Sequence, residues 1–298
     1  MKPVFSHNSL GSKIFDTINV VFLILFSLCI LVPFINLLAL SLNEGNDAVR
    51  GGVYLLPRKL SFESYKMILE NPKILKCALI SFLRVIVGTL TSLTVTGLLA
   101  YVVTIKGFSG RKLLRILFII TMYFSGGIIP SYLLIIRLGL NNTFTVYWLP
   151  YLVNCYYMLI MASYIQELPE AIPESVRMDG GGELRIFFQF IFPMSLPVFA
   201  AVALFSAVFH WNAWFDNLIY NSNLKWDTLQ IFLRRLLLEV EALQELMSQQ
   251  LLHQKFQQVT PVTLRAAITI AVTAPIAFIY PFLQKYFISG ITLGSVKG

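Results

Sequence analysis

The chain has 298 residues, of which 57% are hydrophobic and only 13% charged, and its mean hydropathy is +0.73. Soluble domains carry about 25% charged residues, so the composition excludes an ordinary soluble protein and points to a single polytopic membrane domain over residues 1–298. The formal charge of +8 comes from dispersed Lys and Arg, with no basic run interleaved with aromatics; this argues against nucleic acid and leaves membrane lipid head groups as partners for part of the excess.

A bilayer core needs about 20 apolar residues per helix. Six stretches meet that: 18–40, 78–103, 116–136, 146–164, 198–219 and 264–282. The expected class is therefore all-α, with six transmembrane helices. Residues 1–17 carry Lys2 and Lys13 and lead into the first stretch, which has no small-residue cleavage site at its end, so a retained span is preferred to a signal peptide. Cys29, Cys77 and Cys155 are scattered, without a CxxC, and read as reduced core or lipid-facing residues. The short loop after the second stretch holds Lys106, Arg111, Lys112 and Arg115, whereas 138–145 holds no Lys or Arg. By the positive-inside rule the first is cytoplasmic and the second external. Both termini and the loop 165–193 then face the cytoplasm, and the long loops 41–77 and 220–263 face outside.

Arg84 lies inside the second stretch. It is read as snorkelling to the outer surface, with attraction of an acidic solute as the other reading. SGGIIP at 125–130 should break or kink the third span at Gly126, Gly127 and Pro130, either lining a cavity or permitting close helix packing. Asn154, Tyr156 and Tyr157 fall in the outer half of the fourth.

Between the fourth and fifth stretches, Pro173 suits a first helical turn, and Glu170 and Glu174 put negative charge near the positive end of the helix dipole. Gly180, Gly181 and Gly182 then end a helix of about two turns, too short to be stable alone in water. A second helix starts at Glu183 with Phe187, Phe188, Ile191 and Phe192 as its apolar face. Pro193 and Pro197 interrupt the ladder and should bend the chain where it enters the fifth span. That span carries His210, Asn212, Asp216 and Asn217 beside Trp211, Trp214 and Phe215. Such a mixture suits a sugar pathway, with His210, Trp214 and Asn217 on one stripe; an aromatic belt at the interface is the alternative. Residues 228–250 read as an amphipathic helix, with Leu229, Phe232, Leu233, Leu236, Leu237, Val240 and Leu243 on its apolar side. It would lie on the bilayer surface or dock another protein.

Glu174, then Asp179 and Gly180, Phe187 and Pro193 stand at a spacing that resembles the EAA loop of bacterial ABC-importer permeases. Ser175 and Val176 replace the family's two alanines. The segment at 203–220 and a tail with Gly290, Gly294, Val296, Lys297 and Gly298 are similar to the maltose-type carbohydrate-uptake permeases, oligosaccharide subgroup. This resemblance implies a type I permease with a cytoplasmic coupling helix, in the bacterial inner membrane. Glu174, Ser175, Asp179, Gly180, Gly181, Phe187 and Pro193 would couple it to two cytoplasmic ATPase subunits. A second permease, completing a heterodimer, and an extracytoplasmic solute-binding protein are the other implied partners. His210, Asn212, Trp214, Asn217, Asn154 and Tyr157 are the candidate pathway for an oligosaccharide. No G-x-x-x-x-G-K-[ST] occurs, so the chain is expected to bind no cofactor and no metal, with ATP and Mg held by the ATPases. It is then a transport subunit and not an enzyme. The rival readings are an ABC importer for a peptide or amino acid, and a self-sufficient secondary carrier with Asp216 as its only acidic candidate within a span.

Overall fold

A computed structural model describes residues 10–250 and 259–294. The chain divides into two compact units, residues 1–71 with 236–274 and residues 72–235 with 275–298. All regular elements among the described residues are helical, apart from one isolated bridge, Asn43 to Leu60. Val296, Lys297 and Gly298 of the tail motif lie outside the described residues.

In the first unit, α1 (Leu10–Ser41) is apolar on all sides and exposed along most of its length. A helix that is hydrophobic all round belongs in lipid or against another apolar surface. The chain after it is tied by polar contacts. Asn36 donates to the carbonyls of Val53 (2.8 Å) and Tyr54 (2.9 Å). Asn43 accepts from the amides of Arg58 and Lys59, and Arg58 pairs with Asp47 at 3.0 Å. The short helices α2 (Gly45–Val49) and α3 (Glu63–Leu69) complete this segment.

The second unit is built on α4 (Ile74–Val102), packed along α11 (Leu196–Asn212) and α7 (Cys155–Gln166). Its buried residues include Ser81, Arg84, Gly88, Ser92, Thr96, Gly97 and Ala100. These recur at helical spacing as one stripe, and small residues on such a stripe let neighbouring helices approach closely. A Cβ on Gly88 would stand 2.4 Å from the His210 ring, and one on Gly97 2.6 Å from the Phe199 ring.

Three of the expected spans are not continuous helices. The third breaks between α5 (Arg111–Tyr123) and α6 (Ile128–Arg137), which meet at 117°, at the SGGIIP site. The stretch 146–164 is corrected most. Residues Phe144–Tyr147 and Leu149–Tyr151 form two short 3-10 turns, and only α7, 12 residues long, is α-helical. The cause is local: Pro150 disfavours helix at the residue before it, and Asn154 caps α7 by accepting the Tyr157 amide at 3.1 Å. The fifth expected span ends as α11 at Asn212 and resumes as α12 (Phe215–Tyr220) after Ala213 and Trp214. Among the described residues, three helices suffice by length and composition to cross a membrane, or five if each bent pair counts as one span. Both α13 (Leu229–Gln250) and α14 (Pro261–Gly294) are long. Leu229, Phe232, Leu233, Leu236 and Val240 are buried in the fold, so the apolar side of α13 is covered by protein at these positions instead of resting on the bilayer.

Arg84 does not snorkel. It is fully buried and gripped by Asp216 through both guanidinium nitrogens, with Nη1 to Oδ1 at 3.0 Å. Nη1 also donates to the carbonyl of Ala213 at 3.2 Å, and the guanidinium carbon sits 4.8 Å from the Tyr147 ring centre. Removing one member of a buried ion pair strands the other charge and costs about 3–5 kcal/mol. Asp216→Ala should therefore lower the melting temperature of the detergent-solubilised protein sharply, while the double change Arg84→Met with Asp216→Leu recovers most of the loss.

Candidate coupling site

The loop 165–193 folds as two short helices. The first, α8 (Ala171–Met178), is largely exposed, with Ile172 and Pro173 partly covered and Val176 buried. Its end is closed by a Schellman arrangement: the Gly180 amide donates to the Arg177 carbonyl (3.0 Å) and the Gly181 amide to the Val176 carbonyl (2.8 Å). Gly180 has φ of +79°, which side chains disfavour, and a Cβ on Gly181 would lie 2.5 Å from Val176 Cγ1 and 2.9 Å from its carbonyl oxygen. A Cβ on Gly182 meets nothing. Two of the three glycines thus have a stereochemical reason.

The next helix runs as α9 (Glu183–Ile186), a π turn over Phe187–Ile191, and α10 (Phe192–Met194). Pro193 has no N–H to close an α turn and its ring crowds the carbonyl four residues back; the wider π turn precedes it, with the Phe192 amide bonded to the Phe187 carbonyl. The segment Glu183–Met194 then meets α11 at 84°, at the buried Ser195. Phe187 is buried. Its ring packs against Tyr101 (5.8 Å), Phe188 (5.0 Å) and Phe199 (6.3 Å), in the space left by Gly97. Phe192 meets Phe199 edge-on at 4.9 Å.

Polar ties brace the loop. Arg177 donates to Glu183 at 2.7 Å, Tyr101 donates to the same carboxylate, and Lys106 pairs with Glu170. The hydrogen bond from Arg177 holds the Glu183 carboxyl below its ordinary range, against the opposing pull of partial burial. Beside these groups lies an open cleft of about 1190 Å³ lined by Arg111, Lys112, Arg115, Glu174 and Leu184 among others. Met178 is 88% and Leu184 66% exposed at the tip of the loop.

The residues proposed for a sugar pathway separate into two groups. His210 and Asn217 are buried. Asn217 donates to the Trp226 carbonyl at 3.0 Å, and His210 lies against Gly88. Neither meets solvent in this conformation, so they are withdrawn from a surface that a solute can touch. Asn212 and Asn154 are exposed, and Trp214 and Tyr157 are partly exposed.

No protein-family model matches the chain. Over 288 residues it is 33% identical to the polygalacturonan/rhamnogalacturonan transport system permease protein YtcP of Bacillus subtilis (strain 168), covering 96% of this chain and 99% of that one. It is 34% identical over 295 residues to Protein LplC of the same bacterium, covering 98% of each. This chain belongs to the sugar ABC-importer permeases. In fold it is similar to a chain of a bacterial ABC transporter involved in the import of the acidic polysaccharide alginate, with a TM-score of 0.81 and 25% identity over 96% of this chain and 100% of the other. It is thus an all-α, integral membrane transport subunit of the type I permease class.

For this permease, sequence reasoning found the helix, its glycine end and its following bend. It missed the ties from outside the loop. Lys106 and Tyr101 come from more than 60 residues away, and nothing in local spacing pairs them with Glu170 and Glu183. The Arg84–Asp216 pair had one signal available, two opposite charges in apolar stretches, where an unpaired charge is costly.

Gly180→Ala and Gly181→Ala should speed hydrogen exchange of the α8 amides several-fold, because a left-handed residue with a Cβ costs about 1–2 kcal/mol and the second substitution clashes. Gly182→Ala should leave exchange unchanged. Because the Glu183 carboxyl is depressed, its brace is complete above its ordinary value of 4.5 and is lost as pH falls through the lower folded value. Protection of the 171–183 amides, corrected for intrinsic exchange, should fall across that acid window in the wild type and show no such step in Glu183→Gln.

Proposed function

We propose that this permease forms half of the translocation pathway of an ATP-driven, binding-protein-dependent importer of oligosaccharides, and that α8 seats in a groove on a cytoplasmic ATPase. The observation that carries this reading is a largely exposed two-turn helix, closed at its end and braced from behind, with bare Met178 in its last turn and bare Leu184 on the helix that follows. A helix this short gains little from its own hydrogen bonds; bracing keeps it formed for a partner, and the apolar tip gives that partner something to bury. Glu174, Ser175 and Asp179 face outward on it. The relative named for polygalacturonan/rhamnogalacturonan transport and the structural neighbour involved in alginate import support a sugar as cargo.

The Lys106–Glu170 pair puts the basic loop after α4 beside the coupling loop. Since short basic loops stay inside, the coupling loop faces the cytoplasm of a bacterial inner membrane; with the irregular stretch 146–164 taken as a sixth crossing beside the five helical ones, both termini fall on that side. ATP and Mg belong to the ATPase pair. Its closure on ATP swings α8, and the different affinity of the two conformations for ATP supplies the drive. Asn212, Trp214, Asn154 and Tyr157 are the pathway residues a sugar can reach. A second permease subunit, different from this one, contributes the other half, and an external solute-binding protein delivers the sugar. The secondary-carrier reading loses ground, because its only acidic candidate, Asp216, is occupied by Arg84.

Gentle purification of the tagged chain from its native cell tests the coupling. Wild type should bring an ATPase and a second permease. Glu174→Arg with Gly180→Asp should retain the permease and lose at least nine-tenths of the ATPase, roughly the loss expected for about 1.4 kcal/mol of docking energy. Equal ATPase recovery from both samples would mean that α8 is not the dock.

A further inference from the structure

Around the break between α11 and α12, charge is distributed unevenly. Residues 203–235 contain two carboxylates, Asp216 and Asp227. Arg84 occupies the first and Arg235 the second. Two cations of the same segment, Lys225 and Arg234, have no carboxylate partner among the described residues, and both are exposed. Each is instead laid on an indole: the Arg234 guanidinium carbon is 3.8 Å from the Trp214 ring centre, and Lys225 Nζ is 5.2 Å from that of Trp226.

The stack changes what Arg234 can do. A free surface arginine loses rotamer entropy when it grips a ligand, whereas one held on an aromatic face has lost part of it already. Its N–H donors lie in the plane of the guanidinium and match the two oxygens of a carboxylate. Trp214 stands in the helix break, where transporters use irregular backbone to line a cavity. Asn212, two residues earlier, presents an exposed amide suited to hydroxyl groups. A carboxylate reader beside a hydroxyl reader is the chemistry of a uronic acid. A lipid phosphate needs only the charge.

We propose that Arg234, oriented by Trp214, reads the carboxylates of an acidic oligosaccharide at the outer mouth of the pathway. The proposal rests on the sugar-importer reading above and names the charge class of its cargo. It also gives Arg84 a separate task, since that side chain is fully buried and faces no solute.

Uptake by the assembled transporter in its native cell tests this, with a uronate trisaccharide and its fully methyl-esterified, neutral counterpart as paired probes. Wild type should take up the acid at least about tenfold better than the ester, the discrimination expected when a charged hydrogen-bonding partner is missing. Arg234→Gln should cut that ratio to near unity, and Arg234→Lys should leave it intermediate, because lysine keeps the charge without the planar fork. A wild-type preference below about threefold overturns the proposal without any variant, so a misfolded Arg234→Gln protein does not shelter it. A ratio that survives Arg234→Gln also overturns it. So does a variant that loses capture of the solute-binding protein equally with either sugar, which would move Arg234 to a protein interface. Failure of the importer reading looks different: neither sugar enters and no ATPase is recovered with the wild-type chain.

Discussion

Every break in a helix inside an apolar slab frees backbone groups that water cannot reach, and each must find a partner within the protein. At three such places in the second unit that partner is α4. Thr96 donates to the Leu152 carbonyl at 3.1 Å and accepts the Asn154 amide at 3.4 Å, closing the irregular stretch before α7. Arg84 takes the Ala213 carbonyl where α11 ends, and Ser81 accepts the Leu229 amide at 2.8 Å where α13 begins. These residues share one stripe with Gly88 and Gly97, whose missing Cβ atoms let His210 and Phe199 come close. In lipid, helices gain little from hydrophobic burial against one another, so close packing and polar contacts must hold them. One helix face supplies both.

Arg84 shows how far this dependence goes. A buried guanidinium is expensive unless it is paired and its donors are used. Here Asp216 neutralises it, Ala213 takes a donor, and the Tyr147 ring covers its face. Asp216 also accepts the Asn217 amide at 2.8 Å, at the start of α12. The pair therefore fixes where the chain resumes its helix after the break, and with it the position of Trp214.

The helical class, the two short helices of the loop 165–193 and two of the bends were legible because their causes are local. Glycines at 180–182, the prolines at 130, 173 and 193, and the run from Phe187 to Phe192 act within a turn or two of themselves. Hydropathy then misled at 146–164, since an apolar run satisfies a span count whether or not it is helical. Pro150 and Asn154 carried the contrary signal, and a window of about 20 residues averages over both. His210 and Asn217 were placed on an open stripe by treating the fifth span as one straight helix. The break at Ala213 rotates the residues after it, so spacing counted across the break has no geometric meaning. The stripe of Ser81, Arg84, Gly88, Ser92, Thr96 and Ala100 was readable as a period, but hydropathy scores these residues only as blemishes in an apolar run.

The loop 165–193 and the α11–α12 break are both packed against α4 and joined to α11. Phe187 rests where α4 lacks a side chain at Gly97, while α10 continues through the 84° bend into α11. If a partner moves α8, the displacement reaches α4 through packed rings and α11 through the backbone. These are stiff connections, since close-packed side chains have few voids into which to yield. Thirteen residues from Gly97, about 20 Å along a helix at 1.5 Å per residue, Arg84 on α4 holds the end of α11 and the start of α12. The two helices are thus tied near both ends, by aromatic packing at one and by an ion pair at the other. A shift of one against the other must either break the Arg84–Asp216 grip or carry the α11–α12 break with it. The second costs far less than stranding a buried charge, so the geometry favours motion of the break, and of Trp214 within it, whenever the loop 165–193 moves.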